Sequence, residues 1–137
     1  MMLLLDTNIV SKIIRGRERQ VRQRYREAID AGVSRSISAI VLHELHYGAL
    51  RASAPIQNLE RIAVFVAALD SVEAFTAKDA EVAGEIRAVL AREGQMIGPF
   101  DLLIAAQALR LDATLVTGSV GEFSRIAGLK WIDWTIG

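Results

Sequence analysis

The sequence contains no cysteine, and this absence excludes three kinds of site. Disulfide frameworks, zinc–thiolate centres and cysteine nucleophiles all require a thiol. A chain of 137 residues buries roughly 70% of the surface that it exposes when unfolded, so it can fold without such cross-links. We therefore expect one domain over residues 1–137.

Excess charge of one sign and long apolar runs are also absent. Sixteen Lys and Arg balance sixteen Asp and Glu, so no global field attracts nucleic acid. No apolar run approaches the roughly 18 residues that a membrane span needs. The apolar start ends at Asp6 and is too short for a signal peptide. These features predict a soluble, cytoplasmic protein with no membrane partner.

The balanced total hides a local asymmetry of charge. Residues 12–35 carry eight basic and three acidic side chains, which leaves the rest of the chain acidic. Such a segment is typical of a surface that binds a polyanion, and equally of a solvated helix face whose long side chains cover the core. Both interpretations are compatible with the sequence.

Short apolar runs alternate with helical patterns along the chain. Strands are predicted at 2–5, 33–37, 72–75, 114–117 and 130–132, and helices at 9–14, 17–31, 39–52, 58–69, 77–93 and 100–111. Short strands that alternate with longer helices predict an α/β sandwich with a mostly parallel sheet. In such folds ligands bind beyond the carboxyl ends of the strands, so the residues after each strand are the first place to look for chemistry.

Four acidic residues occupy such positions. Asp6 follows the first strand, Glu44 lies in the helix after the second, Asp101 lies in the first turn of the helix that Pro99 opens, and Glu122 follows the fourth strand. Each has an ordinary explanation, because acids suit helix starts and exposed surfaces. Their shared placement at one edge of the sheet suggests a site.

Carboxylates that converge repel each other. Two unit charges 4 Å apart cost about 4 kcal/mol at an effective dielectric near 20. They are stable together only if some are protonated or a cation neutralises them. A ligand set made only of oxygen favours Mg²⁺ or Mn²⁺. Such a site suits phosphodiester hydrolysis, and Lys12 and Arg15 are the first candidates to attract an anionic substrate.

Four segments, in this order and at these spacings, resemble the motifs of PIN-domain proteins, and more closely those of the VapC toxins of bacterial toxin–antitoxin pairs. They are LLLDTNI at 3–9, VLHELHYG at 41–48, IGPFDLLIAA at 97–106, and LVT at 115–117 followed by EFSRI at 122–126. The similarity extends from about residue 2 to Trp134. It implies a PIN-like three-layer α/β sandwich, with a short, mostly parallel sheet between helices.

The resemblance also implies an activity, that of an Mg²⁺- or Mn²⁺-dependent endoribonuclease that cuts tRNA or rRNA and so inhibits translation. In the family, the residues that match Asp6, Glu44 and Asp101 form the metal site, and Thr117 supports it. Glu122 can supply a fourth acid. The positions where we expect substrate contacts are Asn8, Lys12, Arg15 and Ser119.

The chain departs from the family pattern just after the threonine. Relatives often carry Asn or Asp at the next two positions, where this sequence has Gly118 and Ser119. This departure bears on a second metal ion, because Glu122 has more reach and more rotamer freedom than an aspartate.

By resemblance, the partners are a VapB-like antitoxin that covers the acidic cleft, a second copy of the chain, and operator DNA that is bound only through the antitoxin. Residues 58–69 and 77–93 are candidate helices for a homodimer interface, and equally ordinary core helices.

Other functions are weaker matches. His43 and His46 are one residue short of the HExxH spacing of zinc proteases, so packing or a polar contact on the helix is expected for them. A receiver-like signalling module would pair two acids after its first strand, whereas only Asp6 follows this one. A PIN domain that binds RNA without cutting it is the third alternative, and Gly118 and Ser119 favour it.

Overall fold

We analysed a computed structural model, which describes residues 1–136. The elements of this range alternate along the chain in the order β1 (Met2–Leu5), α1 (Thr7–Arg15), α2 (Arg19–Asp30), β2 (Ser34–Ser38), α3 (Ala39–Arg51), α4 (Pro55–Ala67), β3 (Ser71–Glu73), α5 (Ala77–Arg92), α6 (Pro99–Leu111), β4 (Thr114–Val116), α7 (Val120–Phe123) and β5 (Lys130–Ile132). The predicted domain runs to residue 137, and Gly137 lies outside the described residues.

The strands form one parallel sheet in the order β3-β2-β1-β4-β5. The chain starts at the centre, builds outward through β2 and β3, and then returns to add β4 and β5 on the other side of β1. The strand order therefore reverses between β1 and β4, and a crevice at this switch point is where an open α/β sheet binds its ligands. Asp6 and Thr117 are the residues that directly follow these two strands.

The apolar core explains why the central strands are continuous hydrophobic runs. Leu4, Leu5, Leu115 and Val116 are fully buried, because helices cover both faces of the sheet. Ile9 of α1 and Ile104 of α6 also belong to this core, which fixes the starts of both helices beside the switch point. The fold class inferred from the sequence is confirmed.

Helix α5 lies along α6 and is held there by an ion pair. The guanidinium of Arg110 on α6 binds the carboxylate of Asp79, which has no exposed side-chain surface. Asp79 also closes a capping box with Thr76 at the start of α5. These contacts anchor the long helix whose partner, α6, carries Asp101.

Several predicted boundaries differ from the structure. Helix α4 begins at Pro55, three residues earlier than expected, because proline is well accommodated at the first helical position. Helix α2 begins at Arg19, not at residue 17. Glu122 lies in the first turn of the short helix α7, which agrees with the expected position at a helix start after the fourth strand. Among residues 1–136, no helix is long and apolar enough to cross a membrane.

Candidate active site

Asp6 is the best-fixed acid at the switch point. Its backbone N–H donates to Val116 O at 3.1 Å and so continues the sheet by one bond. Its carboxylate caps α1 by accepting a hydrogen bond from Ile9 N at 2.9 Å, and only 4% of the residue is exposed. Asp6 therefore caps a helix and is at the same time a candidate residue of the site.

The pKa of Asp6 reflects this crowded position. Burial is the main cause that raises the pKa, and the charges of Glu44 and Asp133 raise it further. Hydrogen bonds from the Thr117 hydroxyl and the Ile9 amide act in the opposite direction, and the net result is a raised pKa. The environment of Asp6 thus penalises its negative charge.

Thr117 holds Asp6 from the neighbouring strand end. It is fully buried, its hydroxyl lowers the pKa of Asp6 as a hydrogen-bonding neighbour, and its Oγ1 accepts a hydrogen bond from Ser119 N at 2.9 Å. Thr117 therefore contacts the acid, as its predicted supporting role requires.

Glu44 reaches the site from α3. Its Oε1 accepts a hydrogen bond from Thr7 Oγ1 at 2.6 Å, and the side chain is half-buried. Thr7 follows Asp6 directly in the chain, so this bond ties the start of α1 to the middle of α3. This contact between Thr7 and Glu44 was not predicted, because the two residues are 37 positions apart in the sequence.

Asp101 and Glu122 form the second half of the site. Burial is the main cause that raises the pKa of Asp101 to about 7, and a hydrogen bond with the Glu122 carboxyl is the next. Gly98 N donates to Glu122 Oε2 at 3.4 Å. A Cβ atom at Gly98 would lie 3.3 Å from Asp101 Oδ2, so a residue without a side chain suits this close approach.

The four predicted acids influence each other, because the charges of Glu122, Asp6 and Glu44 also raise the pKa of Asp101. Within residues 1–136, the salt bridges join other pairs and none includes these acids. The switch point therefore concentrates negative charge that no basic side chain offsets.

This donor set fits a hard divalent cation, since it consists only of carboxylate and hydroxyl oxygens. In the part of the chain that the structure describes, no three Asp, Glu or His side chains lie close enough to hold an ion between them. The acids lie at one edge of the sheet and their charges influence each other, but their carboxylates do not converge on one position.

Asp133 is a fifth acid, which the sequence analysis missed. It follows β5 just as Asp6 follows β1, and its charge raises the pKa of Asp6. Thr135 N donates to Asp133 Oδ1 at 2.7 Å and fixes the side chain. The same strand-end rule that selected Asp6, applied to the fifth predicted strand, would have found Asp133.

The predicted substrate contacts are distributed unequally. Arg15 lines a groove of about 540 Å³ together with Thr7 and Glu44. Asn8 and Lys12 line a smaller groove of about 200 Å³, which also includes Arg15 but not Glu44. Lys12 forms a salt bridge with Glu18 at 2.6 Å. Arg15 is therefore the predicted cation with direct access to the groove at Glu44.

The departure from the family pattern has a local structural counterpart. A Cβ atom at Gly118 would lie 3.3 Å from Thr135 Cγ2, so a larger side chain there would press on Thr135. The nearby Ser119 uses its backbone N–H on Thr117. The space beside residue 118 is thus taken by the segment that also carries Asp133.

His43 makes the kind of contact that was expected for it. Its Nδ1 lies 3.0 Å from Ile40 O on the same helix, and its ring packs edge-on against Phe100 with centroids 4.8 Å apart.

Comparison with known proteins agrees with this fold. The PIN domain family model matches residues 3–129. The chain belongs to the PIN-domain family. Within the family, it is 39% identical over 132 residues to the tRNA(fMet)-specific endonuclease VapC of Shigella flexneri, covering 96% of this chain and 97% of that protein. Ribonuclease VapC2 of Rickettsia felis is 36% identical over 134 residues, covering 98% of each chain.

Solved structures of PIN-domain relatives have the same fold over almost their whole length. VapBC2 from Rickettsia felis, bound to a DNA fragment from its promoter, superposes with a TM-score of 0.90 at 34% identity, covering 98% of this chain and 99% of that chain. DNA-bound VapBC from Salmonella typhimurium gives a TM-score of 0.88 at 34% identity and covers 98% of each chain. The resemblance to PIN domains and VapC toxins inferred from the sequence is confirmed.

Proposed function

We propose that this PIN-domain protein is a divalent-metal-dependent endoribonuclease and the toxin of a toxin–antitoxin pair. The observation that carries the proposal is the group of interacting carboxylates at the switch point, Asp6, Glu44, Asp101 and Glu122, which no salt bridge within residues 1–136 neutralises. Relatives named VapC and ribonuclease VapC, at 30–39% identity, support this activity.

Asp6, Glu44 and Asp101 would hold Mg²⁺ or Mn²⁺, with Glu122 as a fourth acid. When bound, such a cation lowers the pKa of a water molecule and offsets charge on the phosphate. Hydrogen bonds from other groups of the chain hold two of these carboxylates in place. The Ile9 amide and Thr117 hydroxyl fix Asp6, and the Thr7 hydroxyl fixes Glu44. Asp101 must lose its proton to bind a cation, and its pKa of about 7 makes that loss easy at neutral pH.

The substrate we propose is structured RNA in the cytoplasm, and cleavage of tRNA or rRNA would inhibit translation. The Shigella flexneri relative is named for its action on tRNA(fMet), which supports tRNA as the first substrate to test. Arg15, in the groove that contains Glu44, is placed to contact phosphate. Asn8, Lys12 and Ser119 stay predictions for substrate binding.

The partner we propose is a VapB-like antitoxin that covers the acidic site, and operator DNA would be bound through it. VapBC complexes of similar chains, two of them bound to DNA, support this assignment. We also propose a homodimer. Helices α4 and α5 expose large apolar side chains, with Val64 at 73% and Val89 at 43% exposed, which is compatible with burial against a second copy.

The test is cleavage of purified tRNA with and without Mn²⁺. The wild type should cleave only with the metal, and Asp6→Asn and Asp101→Asn should abolish cleavage. Glu85→Gln, which changes an exposed acid on α5, is the matched control and should keep full activity. Equal cleavage by the wild type and both aspartate variants would reveal a contaminating nuclease and contradict the proposal.

A second candidate function is an RNA-binding PIN domain that does not cut. Two observations favour it: Gly118 replaces a polar residue of the family pattern, and no three acids of residues 1–136 are gathered closely enough for an ion. Binding of tRNA by the wild type, with no cleavage at any Mn²⁺ concentration, would select this function. Membership of the PIN family removes the receiver-like alternative.

A further inference from the structure

The arginines of the basic segment fall into two structural groups. Arg35 is half-buried, donates a hydrogen bond to Tyr25 Oη at 2.9 Å and lies over the Tyr25 ring. This residue covers the core, as one interpretation of the segment requires. Arg19, Arg22 and Arg26 on α2 are instead exposed. These three need a different explanation.

The three exposed arginines share one side of α2. Their spacing of three and four residues places them one above the other, and together with Gln23 they line a surface depression of about 390 Å³. We name these three residues the arginine face. Like charges at such spacings destabilise a helix, so a surface of this kind is unfavourable for the isolated chain.

Nearby acids do not neutralise the arginine face. Glu18 binds Lys12 at 2.6 Å, and Glu27 accepts a hydrogen bond from Gln23 at 3.3 Å. Asp30 lies one turn beyond Arg26, but no salt bridge joins them within residues 1–136. The face therefore presents three guanidinium groups without an acidic partner in the described part of the chain, and one of them, that of Arg22, also donates to Gly16 O. A guanidinium group can bind a phosphate through two parallel hydrogen bonds.

The arginine face lies close to the groove that contains Glu44. The groove that contains Glu44 is also lined by Arg15, the last residue of α1, and by Arg17 in the link between α1 and α2. Arg22 donates a hydrogen bond to Gly16 O at 3.1 Å, which ties the face to the end of α1. Helix α1 has nine residues and is therefore about 13 Å long, so the end of α1 that Arg22 contacts lies about that far from its start beside Asp6.

We propose that Arg19, Arg22 and Arg26 bind the phosphodiester backbone of the RNA substrate beyond the cleavage site. This inference rests on the proposed function, because it assigns the substrate of the same site a second contact surface. Backbone contacts of this kind fix the position of an RNA and carry no sequence information. They also make affinity depend steeply on salt concentration, which gives the proposal a quantitative test.

The experiment measures binding of purified tRNA by the full chain in an Asp101→Asn background, which prevents cleavage, at several salt concentrations. Loss of three phosphate contacts should reduce the slope of log Kd against log salt by about two. We expect this reduction for Arg19→Gln/Arg22→Gln/Arg26→Gln, together with binding weaker by about tenfold or more near 50 mM salt. Circular dichroism should show that the variant is folded.

The matched control removes the same charge elsewhere. Lys78→Gln/Arg87→Gln/Arg92→Gln changes three exposed residues of α5 and should leave the salt slope unchanged. Equal slopes for the two triple variants would overturn the proposal. Normal RNA binding by the α2 variant, together with a loss of its affinity for an acidic protein partner, would also overturn the proposal. Wild-type cleavage, measured in parallel, separates this result from a failure of the proposed nuclease activity.

Discussion

The carboxyl groups of Asp101 and Glu122 share a hydrogen bond, although they lie on different helices and 21 positions apart in the sequence. Burial and this bond raise the pKa of Asp101 to about 7, so Asp101 is the carboxyl that carries the proton below neutral pH. Gly98 allows this contact, because its N–H binds Glu122 and its missing side chain leaves room for Asp101.

The first prediction concerns stability and pH in the metal-free protein. The pKa of Asp101 is about 7 in the folded chain, above the ordinary value of 3.8, so the folded state binds more protons than the unfolded state between about pH 4 and 7. The free energy of unfolding should therefore fall as the pH rises through this window. Urea denaturation from pH 4 to 8 measures it.

Asp101→Asn should flatten this decline, because the amide does not titrate. Part of the decline should persist, since the pKa of Asp6 is also raised. Glu85→Gln is the control and should behave like the wild type. An unchanged decline in Asp101→Asn would show that Asp101 is not the titrating group.

The second prediction concerns Thr7, which we regard as a positioning residue. Thr7→Val removes the hydroxyl that binds Glu44 at 2.6 Å and leaves the shape of the side chain almost unchanged. Loss of such a supporting contact should lower kcat on tRNA by about 10- to 100-fold with a smaller change in KM. Thr7→Ser keeps the hydroxyl and should recover most of the activity. Full activity of Thr7→Val would contradict the role.

A third prediction tests Asp133. Its carboxylate adds negative charge beside Asp6, so Asp133→Asn should raise the Mn²⁺ concentration needed for half-maximal cleavage. Cleavage at saturating Mn²⁺ should be retained, because Asp6, Glu44 and Asp101 stay in place. Asp112→Asn changes an acid that pairs with Lys130 and should have no effect. If both variants require the same metal concentration as the wild type, Asp133 does not belong to the site.

A fourth prediction concerns the contact between α5 and α6. Arg110→Ala removes the cationic partner of the buried Asp79 and should lower the free energy of unfolding by about 1.5–3 kcal/mol. The Arg110 side chain is 27% exposed, so the loss should stay below that of a fully buried pair. Lys78→Ala breaks an exposed ion pair within α5, the helix that carries Asp79. It should change the free energy of unfolding by less than about 0.5 kcal/mol. Equal losses would contradict the buried pair as a stabilising contact.

Most of the fold followed from local patterns. The apolar run before Asp6, the N-cap at Ser38 and the capping residue Thr76 each act within a few positions, so their effects can be predicted from neighbouring residues. The position of Asp133 after β5 follows the same rule and was overlooked. The start of α4 at Pro55 was misjudged, because proline favours the first turn of a helix as well as its end.

The amino-acid sequence by itself predicted the succession of the strands and the longer helices, although not α7, and it predicted that Asp6, Glu44, Asp101 and Glu122 lie at one edge of the sheet. Packing alone established which side chains touch: Thr7 on Glu44, Glu122 on Asp101, and Glu18 on Lys12. The physical reason is the distance along the chain over which each kind of interaction acts. Periodicity and capping act over one or two turns, whereas a hydrogen bond between distant positions depends on ångström distances set by the packed core.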